Sequence, residues 1–460
     1  MSELPALRDA QPRVFWLDDP AAPRPTDALV GAQRADLAVV GGGYTGLWTA
    51  LRAKERYPHL DIVVLEASTC GNAASGRNGG FCDASLTHGF GNGRARWPDE
   101  LETLERLGAE NLDAIGATIT KYGIDCGWER TGELTVATAP HELATLAEEA
   151  KARQALAHDV KLLDATEVRA EVDSPTYLGA LADYTGTALI EPAKLTWGLR
   201  QACLDLGVRI HEFSPVTGLS GNSLRTATGS VRADRIALAT NAFPSLLKRL
   251  RLYTVPVYDL VLMTEPLSPE QLAAIGWQHR QGIGDASNLF HYYRLTRDNR
   301  ILWGGYLPLY YFGSRIDPSL EQRDSIHEML ARHFFATFPQ LEGLRFTHRW
   351  GGVIDTSTRF CAFFGTASAG RVAYALGYTG LGVAATRFGA DVMLDLLYAE
   401  QTERTELQLV RDRPLPFPPE PIRAAGIHLT RWSMAHADSH AGHRNLWLRT
   451  LDRLGLGFDF

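Results

Sequence analysis

The sequence has no surplus of positive charge. It contains 46 lysine and arginine residues against 53 aspartate and glutamate residues, which gives a formal net charge of −7. A protein that binds a nucleic-acid backbone neutralises its phosphates with an excess of basic side chains. We therefore expect no nucleic-acid partner.

Long apolar runs are also missing. A membrane-spanning helix needs about 20 consecutive apolar residues, and the most apolar stretch, Leu381 to Ala399, is interrupted by Arg387, Asp391 and Asp395. The first residues contain no basic segment followed by an apolar core, so they do not form a secretory signal of the usual kind. We predict a cytoplasmic protein without a membrane span.

The cysteine pattern argues against three further classes of protein. The five cysteines include no CxxC pair, whereas a disulfide framework, a zinc knuckle and a dithiol redox centre each need paired cysteines. His436, His440 and His443 would share one face of a helix, but the arginines around them indicate a solvated face. We predict no metal site.

The composition is that of a folded globular protein, with 45% hydrophobic and 22% charged residues among 460. At about 150 residues per domain, this length allows roughly three domain-sized units or one two-lobed enzyme. The residues at 36–40 and at 61–65 form short apolar runs typical of buried parallel strands, and the residues at 44–56 have helical character. These three segments predict a βαβ unit.

A GxGxxG motif lies between the first strand and the helix. Its glycines are Gly41, Gly43 and Gly46, and Thr45 lies within it. The absence of side chains allows a tight turn, close approach to a pyrophosphate and close helix packing, while the helix N-terminus stabilises phosphate charge. Glu66 ends the second strand about 20 residues beyond the motif, where a carboxylate accepts hydrogen bonds from a ribose. The pattern predicts a dinucleotide cofactor.

Two glycine-rich segments favour FAD over NAD as that cofactor. The segment at 74–80, Ala-Ser-Gly-Arg-Asn-Gly-Gly, can pass close under a tricyclic ring, although such residues also form ordinary turns. The segment at 377–382, Gly-Tyr-Thr-Gly-Leu-Gly, precedes an apolar helix whose N-terminal dipole would stabilise a reduced flavin. A turn that only lets this helix pack closely is the alternative, so an NAD-dependent dehydrogenase stays open.

Taken together, five segments resemble the D-amino-acid oxidase superfamily of FAD proteins, above all its branch of γ-glutamylputrescine, glycine and sarcosine oxidases. They are Gly-Gly-Gly-Tyr-Thr-Gly with Glu66, the 74–80 loop, Ala-Thr-Asn-Ala at 239–242, Tyr-Tyr-Arg at 292–294 and the 377–382 segment. The resemblance spans approximately residues 15–399. It implies an α/β fold in which a Rossmann-type FAD-binding domain, discontinuous in sequence, is joined to an antiparallel-sheet substrate domain.

The resemblance also implies domain boundaries. The FAD-binding domain would comprise residues 1–105, 180–250 and 346–410, the substrate domain residues 106–179 and 251–345, and a helical C-terminal extension residues 411–460. The aromatic, alternating stretch at 253–311 fits the antiparallel sheet, with a turn at 297–300 between two strands.

Residues that would hold FAD follow from the same resemblance. Val216 would contact adenine through its backbone, and Thr379, Gly380 and Gly382 would lie beside the flavin ring. The full set is Gly41, Gly43, Thr45, Gly46, Glu66, Ser75, Arg77, Asn78, Gly79, Gly80, Val216, Gly377, Thr379, Gly380 and Gly382. We expect non-covalent FAD, because the residues around Cys361 do not match the flavin-linked cysteine of sarcosine oxidases.

The implied activity is oxidation of the C–N bond of an amine or amino acid: a γ-glutamylputrescine-like amine, an N-methyl amino acid or a small amino acid. A hydride would pass to flavin N5 and water would hydrolyse the imine, so no catalytic side chain is assigned. No lysine follows Lys248, whereas some family oxidases use a lysine near the flavin to react with oxygen. The electron acceptor is therefore oxygen or another carrier, and a flavin-binding subunit of a larger complex is a further alternative. The oligomeric state stays open.

Six side chains are candidates for the substrate pocket: Tyr292, Arg294, Tyr258, Trp350, Tyr378 and His88. Period-two alternation places Tyr292 and Arg294 on one face of a strand. The guanidinium of Arg294 suits a substrate carboxylate, or it is a surface charge. The other aromatic residues suit a cage around a cationic amine, or they pack in the core. His88 would neighbour the flavin ring, or it is a loop histidine.

Overall fold

The computed structural model describes residues 4–456. In chain order its strands are β1 (Gly31–Val40), β2 (Ile62–Leu65), β3 (Phe81–Asp83), β4 (Glu133–Ala137), β5 (Val160–Asp164), β6 (Gly179–Asp183), β7 (Thr187–Leu189), β8 (Arg209–His211), β9 (Gly218–Ser220), β10 (Ser223–Arg225), β11 (Gly229–Leu238), β12 (Thr254–Thr264), β13 (Gly282–Asp285), β14 (His291–Leu295), β15 (Ile301–Gly305), β16 (Phe346–Ser357), β17 (Phe363–Ala367) and β18 (Val372–Leu376).

The α-helices are α1 (Tyr44–Arg56), α2 (Phe90–Arg96), α3 (Leu101–Lys121), α4 (Glu142–Ala155), α5 (Ala165–Glu171), α6 (Pro192–Asp205), α7 (Pro269–Ile275), α8 (Asp324–Thr337), α9 (Gly382–Leu397), α10 (Glu403–Glu406), α11 (Gln408–Arg411), α12 (Ile422–Ser439) and α13 (Leu446–Arg453). The predicted strand, helix and strand at 36–40, 44–56 and 61–65 correspond to β1, α1 and β2.

The first sheet has the strand order β17-β18-β11-β1-β2-β8. Strand β1 pairs in parallel with β2 and β11, and β18 pairs in parallel with β11. Leu37 and Val39 enter the core beneath helices α1, α6 and α9, whereas Ala38 and Val40 enter the core on the opposite face. A parallel strand covered on both faces needs apolar residues at successive positions. The predicted Rossmann-type α/β fold is confirmed.

The second sheet has the order β16-β12-β15-β14-β13-β4-β6-β5. All of these neighbours pair antiparallel except β13 and β4. The predicted turn at 297–300 connects β14 to β15. Helix α8 covers one face of this sheet, where the ring centroids of Trp303 and Phe334 lie 5.6 Å apart.

Three boundaries drawn from the sequence disagree with the strand pairing and helix packing of the structure. Residue 346 begins β16, which pairs with β12 along its length, and residue 180 lies in β6 of the same sheet. The division after residue 105 cuts α3, although Leu107 and Ile115 of this helix pack in the core beside α1. Strand pairing and helix packing, which sequence character does not reveal, set these limits. We therefore propose that the second sheet's domain extends to residue 357 and that α3 belongs with the first sheet.

Helices α12 and α13 lie beyond the two sheets in sequence, and side-chain contacts tie them to the second sheet. The carboxylate of Asp438 accepts hydrogen bonds from the backbone N–H groups of Asn288 and Leu289, each at 3.0 Å. Within residues 4–456, no helix is long and apolar enough to cross a membrane, and no group of three or more potential metal ligands lies together.

Candidate active site

In the turn between β1 and α1, the main chain lies in close contact with other main-chain segments. Gly41 has φ +112°, and a Cβ on it would meet the carbonyl oxygen of Ala239 in the segment after β11. A Cβ on Gly46 would meet the carbonyl oxygen of Gly41, and one on Gly43 would lie 2.8 Å from the Ser75 hydroxyl oxygen. Glycine at these positions therefore keeps the N-terminus of α1 open.

Two side chains flank this helix N-terminus. The Ser75 hydroxyl oxygen accepts a hydrogen bond from the Tyr44 N–H at 2.9 Å. The Glu66 carboxylate accepts from the N–H groups of Gly42 at 2.6 Å and Ser68 at 2.8 Å. Burial raises the pKa of Glu66, while these two hydrogen bonds oppose the rise. Glu66 is thereby fixed beside the turn and keeps acceptor capacity for a ribose.

These groups fit the dinucleotide FAD. The main-chain N–H groups at the start of α1 suit a pyrophosphate, and Glu66 suits a ribose. The Thr240 hydroxyl is buried and has no hydrogen-bond partner within the described chain. Its neighbours Ala239 and Asn241 line a cavity. A buried hydroxyl without a partner is costly, and a polar ligand in the adjoining cavity would supply that partner.

That cavity has a volume of about 870 Å³ and reaches both glycine-rich segments. Gly43, Thr45 and Ser75 line it beside α1, and residues 379–382 line it before α9. Pockets for small molecules and cofactors span about 300–1,000 Å³. The cavity therefore connects the predicted pyrophosphate site with the predicted flavin-ring site.

Asp355 holds the turn at 377–382. One of its carboxylate oxygens accepts a hydrogen bond from the Gly377 N–H at 2.5 Å, and the other accepts from the Tyr378 N–H at 3.2 Å. Its backbone carbonyl accepts from the Thr379 N–H at 3.2 Å. Burial raises the pKa of Asp355 to about 7, against the effect of these hydrogen bonds. The turn is positioned by a carboxyl group that the sequence reasoning did not identify.

The 74–80 loop is shaped by its own asparagine. The Asn78 side chain donates to the Ala74 carbonyl and accepts from the Gly80 N–H, both at 2.9 Å. The Trp16 indole N–H donates to the Asn78 backbone carbonyl at 3.0 Å. A Cβ on Gly79 would lie 2.7 Å from the Tyr292 ring, so the loop lies directly against that ring.

Arg77 of this loop does not present a free charge. Its guanidinium forms an ion pair with Glu321 at 2.5 Å and donates to the Asn72 carbonyl at 2.6 Å. The side chain lines the cavity and is largely buried. Its role in the structure is to connect the loop to the second sheet's domain.

Tyr292 and Asp259 form a hydrogen-bonded, partly buried pair in the cavity wall. The Tyr292 hydroxyl donates to the Asp259 carboxylate at 2.5 Å. Burial raises the pKa of Asp259 to about 6 and also raises that of Tyr292. Tyr292 lines the cavity, and its partner Asp259 is a further acid of the same wall. Contact of Tyr292 with a substrate stays a prediction.

A second acidic pair lies nearby in the cavity lining. Asp83 follows the 74–80 loop in β3, and Glu133 begins β4. The Thr187 hydroxyl lies 2.7 Å from an oxygen of Asp83 and 3.3 Å from an oxygen of Glu133. Burial is the main cause of the raised pKa of both carboxyls, and their mutual repulsion adds to the rise for Glu133.

Three of the predicted substrate residues lie outside the cavity lining. The Arg294 guanidinium is buried and donates to the carbonyls of Ile190 at 2.6 Å and Leu295 at 3.2 Å. Both expectations for Arg294, a carboxylate partner and a surface charge, are therefore wrong, because its guanidinium is buried outside the cavity lining and donates to backbone carbonyls. It supports the 74–80 loop from behind, since a Cβ on Gly80 would lie 2.7 Å from its guanidinium.

Trp350 and Tyr258 do not form an aromatic cage. The Trp350 indole is 1% exposed and donates its N–H to the Arg77 carbonyl at 2.9 Å. The Tyr258 hydroxyl accepts from the Asp317 N–H at 3.0 Å, and its ring is also 1% exposed. Both pack in the core, which was the alternative drawn from the sequence.

His88 and Tyr378 line the cavity, as does Tyr306. Burial lowers the pKa of His88 to about 4, so the imidazole is uncharged near neutral pH. Burial raises the pKa of Tyr378. These side chains therefore give the cavity aromatic surface without positive charge.

Val216 lies at the margin of the first sheet's core rather than in the cavity lining. It follows Ser214, whose N–H donates to the Glu66 carbonyl at 2.7 Å. Its segment is therefore next to the predicted ribose site, and the adenine contact stays a prediction. Cys361 is 2% exposed and packs in the core of the first sheet, which supports non-covalent FAD.

The comparison with known families agrees with this site. The model of the DAO family, described as FAD dependent oxidoreductase, matches residues 36–396. The chain therefore belongs to the DAO family of FAD-dependent oxidoreductases. The resemblance and the choice of FAD drawn from the motifs are confirmed, and the NAD-dependent alternative is wrong.

Individual relatives point the same way. Gamma-glutamylputrescine oxidoreductase of Escherichia coli is 36% identical over 386 residues, which are 81% of this chain and 86% of that protein. Sarcosine oxidase subunit beta of Rhodobacter capsulatus is 23% identical over 341 residues, 70% of this chain and 75% of that protein. Glycine oxidase from Geobacillus kaustophilus shares the fold, with a TM-score of 0.68 at 18% identity over 83% of this chain and 99% of that chain. The protein is an FAD-dependent oxidoreductase of the family that oxidises amines and amino acids.

Proposed function

We propose that the protein oxidises the C–N bond of a cationic amine, of the γ-glutamylputrescine type, rather than that of a small amino acid. Bound FAD supplies the two-electron acceptor for this oxidation, and water hydrolyses the resulting imine to a carbonyl compound and a released amine or ammonia. The residues that would hold FAD are those around the turn before α1, Glu66, the 74–80 loop and the 377–382 turn.

The charge of the cavity wall carries this proposal. On the side built by the two sheets the wall contains four acids: Asp83, Glu133, Asp259 and Asp355. Among the described residues of that side, the one arginine is Arg77, and Glu321 already pairs with it. A small amino acid would bring its carboxylate into this acidic region without a free cationic partner, whereas an ammonium group would be stabilised there.

The Asp83–Glu133 pair gives the amine a defined partner. Because burial and mutual repulsion raise the pKa of Glu133, the pair keeps a proton near neutral pH. An arriving ammonium favours the ionised pair and releases this proton. We therefore expect amine affinity to increase as the pH rises through neutrality, and Glu133→Gln to remove much of that increase.

The Tyr292–Asp259 pair would help to orient the substrate. It lies against Gly79 of the 74–80 loop, so it bounds the space next to the predicted ring site. A wall of fixed aromatic rings and hydrogen-bonded carboxyls excludes water and limits the positions of the substrate carbon, which is how positioning lowers a barrier.

Relatives support the substrate class. The E. coli protein of 36% identity is named for gamma-glutamylputrescine, whereas the sarcosine oxidase subunit is 23% identical. γ-Glutamylputrescine and sarcosine both belong to the range of substrates that the family resemblance implies. The acidic wall favours γ-glutamylputrescine, because it is an amine without a carboxylate beside the reacting carbon.

The electron acceptor is either oxygen or another electron carrier. No lysine is present among the described residues that line the cavity, and such a lysine helps some family oxidases react with oxygen. This observation favours a dehydrogenase that passes electrons to a carrier. A separate alternative concerns the function of the protein itself, which would then be a flavin-binding subunit of a larger complex that does not oxidise amines.

Anaerobic titration of the purified, FAD-loaded protein tests the function. We expect γ-glutamylputrescine to bleach the flavin absorbance and sarcosine or glycine to bleach it more slowly. Admission of air then distinguishes the acceptors, because rapid recovery of the yellow colour defines an oxidase and slow recovery a dehydrogenase. Bound FAD that no amine of the panel bleaches would contradict the proposal and favour the subunit alternative.

A further inference from the structure

The C-terminal extension, of which the structure describes residues 411–456, forms a wall of the cavity with residues between 415 and 456, although it lies beyond the residues that match the family model. Its contribution is mainly apolar and includes Phe417, Ile427, Met434, Trp447 and Leu451. The two sheets and this extension therefore enclose the same space from different sides.

The extension is fastened to the sheets at several points. The Thr358 hydroxyl donates to the Leu415 carbonyl at 2.6 Å, and the Phe417 N–H donates to the Leu252 carbonyl at 2.7 Å. Further along, Asp438 binds the backbone of Asn288 and Leu289, which line the cavity too. These contacts hold α12 across the cavity as a fixed wall.

Arg431 of α12 differs from the other arginines of this cavity. Its side chain is half-buried, lines the cavity and forms no ion pair with the described residues, and its guanidinium donates a hydrogen bond to the Pro308 carbonyl at 3.4 Å. Burial lowers its pKa. Arg77 pairs with Glu321, and Arg423 donates to the Pro418 carbonyl at 3.0 Å and the Ser314 hydroxyl at 2.8 Å.

We propose that Arg431 binds a carboxylate at the remote end of the substrate, while the apolar side chains of the extension contact the spacer between that carboxylate and the reacting amine. The inference rests on the proposed function and narrows it. The substrate class is then an elongated molecule with an amine at one end, an apolar spacer and an anionic group at the other. A half-buried guanidinium without an acidic partner is the group that a carboxylate stabilises through two parallel hydrogen bonds.

Two synthetic amines separate this inference from the proposed function. N-(4-aminobutyl)glutaramic acid carries the remote carboxylate, and N-(4-aminobutyl)pentanamide has the same length without it. In the wild type, anaerobic flavin reduction should show at least about tenfold higher apparent affinity for the first compound, the effect of one charge-assisted contact. Arg431→Gln should abolish that preference and leave the affinity for the second compound unchanged.

Arg449→Gln is the matched control, because Arg449 is an exposed residue of α13 outside the cavity lining. It should keep the wild-type preference. Equal affinity of the wild type for both compounds, or an equal loss with both in Arg431→Gln, would overturn the role of Arg431 while the oxidation of amines still stands.

A binding measurement decides the inference even when neither amine reduces the flavin, which would itself contradict the proposed function. N-butylglutaramic acid has the carboxylate and spacer but no amine to oxidise. Its binding to the FAD-loaded wild type should perturb the flavin spectrum, and the dissociation constant should be at least about tenfold higher in Arg431→Gln. The same constant in both proteins would overturn the inference.

Discussion

The two sides of the cavity are built from different parts of the chain and by different means. On the sheet side, glycine turns and backbone N–H groups come within contact distance of one another, and buried acids such as Asp355 hold the turns in place. On the extension side, long side chains of α12 and α13 reach into the space. Backbone geometry therefore shapes the proposed FAD site. Side chains would define the substrate, with the acids of the sheet side acting on the amine and those of the extension on its remote end.

The largest expected effect comes from disturbing the backbone contacts. In Gly46→Ala the new methyl group would meet the Gly41 carbonyl oxygen, so α1 would move away from the turn that we propose as the pyrophosphate site. We expect a protein that purifies without FAD, measured as the ratio of absorbance at 450 nm to absorbance at 280 nm, on the order of a tenth of the wild-type ratio or less.

Gly218→Ala is the control for that change. Gly218 lies in β9, where a Cβ would approach the Arg225 side chain no closer than 3.9 Å. It should retain FAD. Full FAD content in Gly46→Ala would show that the turn does not hold the cofactor.

The next effect concerns Asp355 and pH. Its pKa is about 7 in the folded protein and about 4 in an unfolded chain. Between these values the unfolded chain loses the proton while the folded protein keeps it, so a rise in pH favours unfolding; above pH 7 the penalty is complete. Asparagine does not ionise, and the Tm of Asp355→Asn relative to wild type should therefore increase from pH 5 to pH 8.

Paired thermal melts of the FAD-free proteins in the same buffers provide this measurement. A Tm difference that stays constant or decreases over that range would mean that Asp355 is ionised throughout.

Two neighbouring tyrosines on β14 test whether the side chains that face the cavity act on the reaction. Tyr292→Phe removes the hydrogen bond to Asp259, and Tyr293→Phe removes the one to Tyr177 on the opposite face. Each change should cost about 1 kcal/mol of stability. Only Tyr292→Phe should slow anaerobic flavin reduction, by about tenfold, because Asp259 loses the donor that orients it. Similar slowing in both variants would show that Tyr292 has no specific role in flavin reduction.

The smallest effect is expected at Cys361. Its thiol is buried in the core, and burial raises its pKa. Cys361→Ala should bind FAD as the wild type does, and acid precipitation should release all the flavin from both proteins. Flavin that stays with the precipitated wild type and is released from the variant would show a covalent link.

The same contrast explains what the sequence could reveal. The turn before α1 depends on glycines that are close together in sequence and on a following acid, so this motif predicted a dinucleotide, and the 74–80 and 377–382 segments with the family resemblance were needed to choose FAD. The antiparallel sheet and the orientation of Tyr292 followed from period-two alternation. Both depend on local patterns.

The acidic wall could not be found in this way. Asp83, Glu133, Asp259 and Asp355 lie on four strands far apart in the chain, and a lone acid on a strand carries no signal of its partner. Arg294 was misplaced for a related reason, because one of its carbonyl partners, Ile190, is far from it in sequence. The role that we propose for α12 depends on contacts across the cavity, which residue spacing does not encode.

The most direct test of the account is the ratio of anaerobic flavin-reduction rate constants for γ-glutamylputrescine and sarcosine, measured in the wild type and in the Asp83→Asn, Glu133→Gln double variant. The account predicts a wild-type ratio well above one that falls by about tenfold or more when the acidic pair is neutralised. A wild type that reduces faster with sarcosine, or a double variant with an unchanged ratio, would contradict the claim that the acidic wall selects a cationic amine.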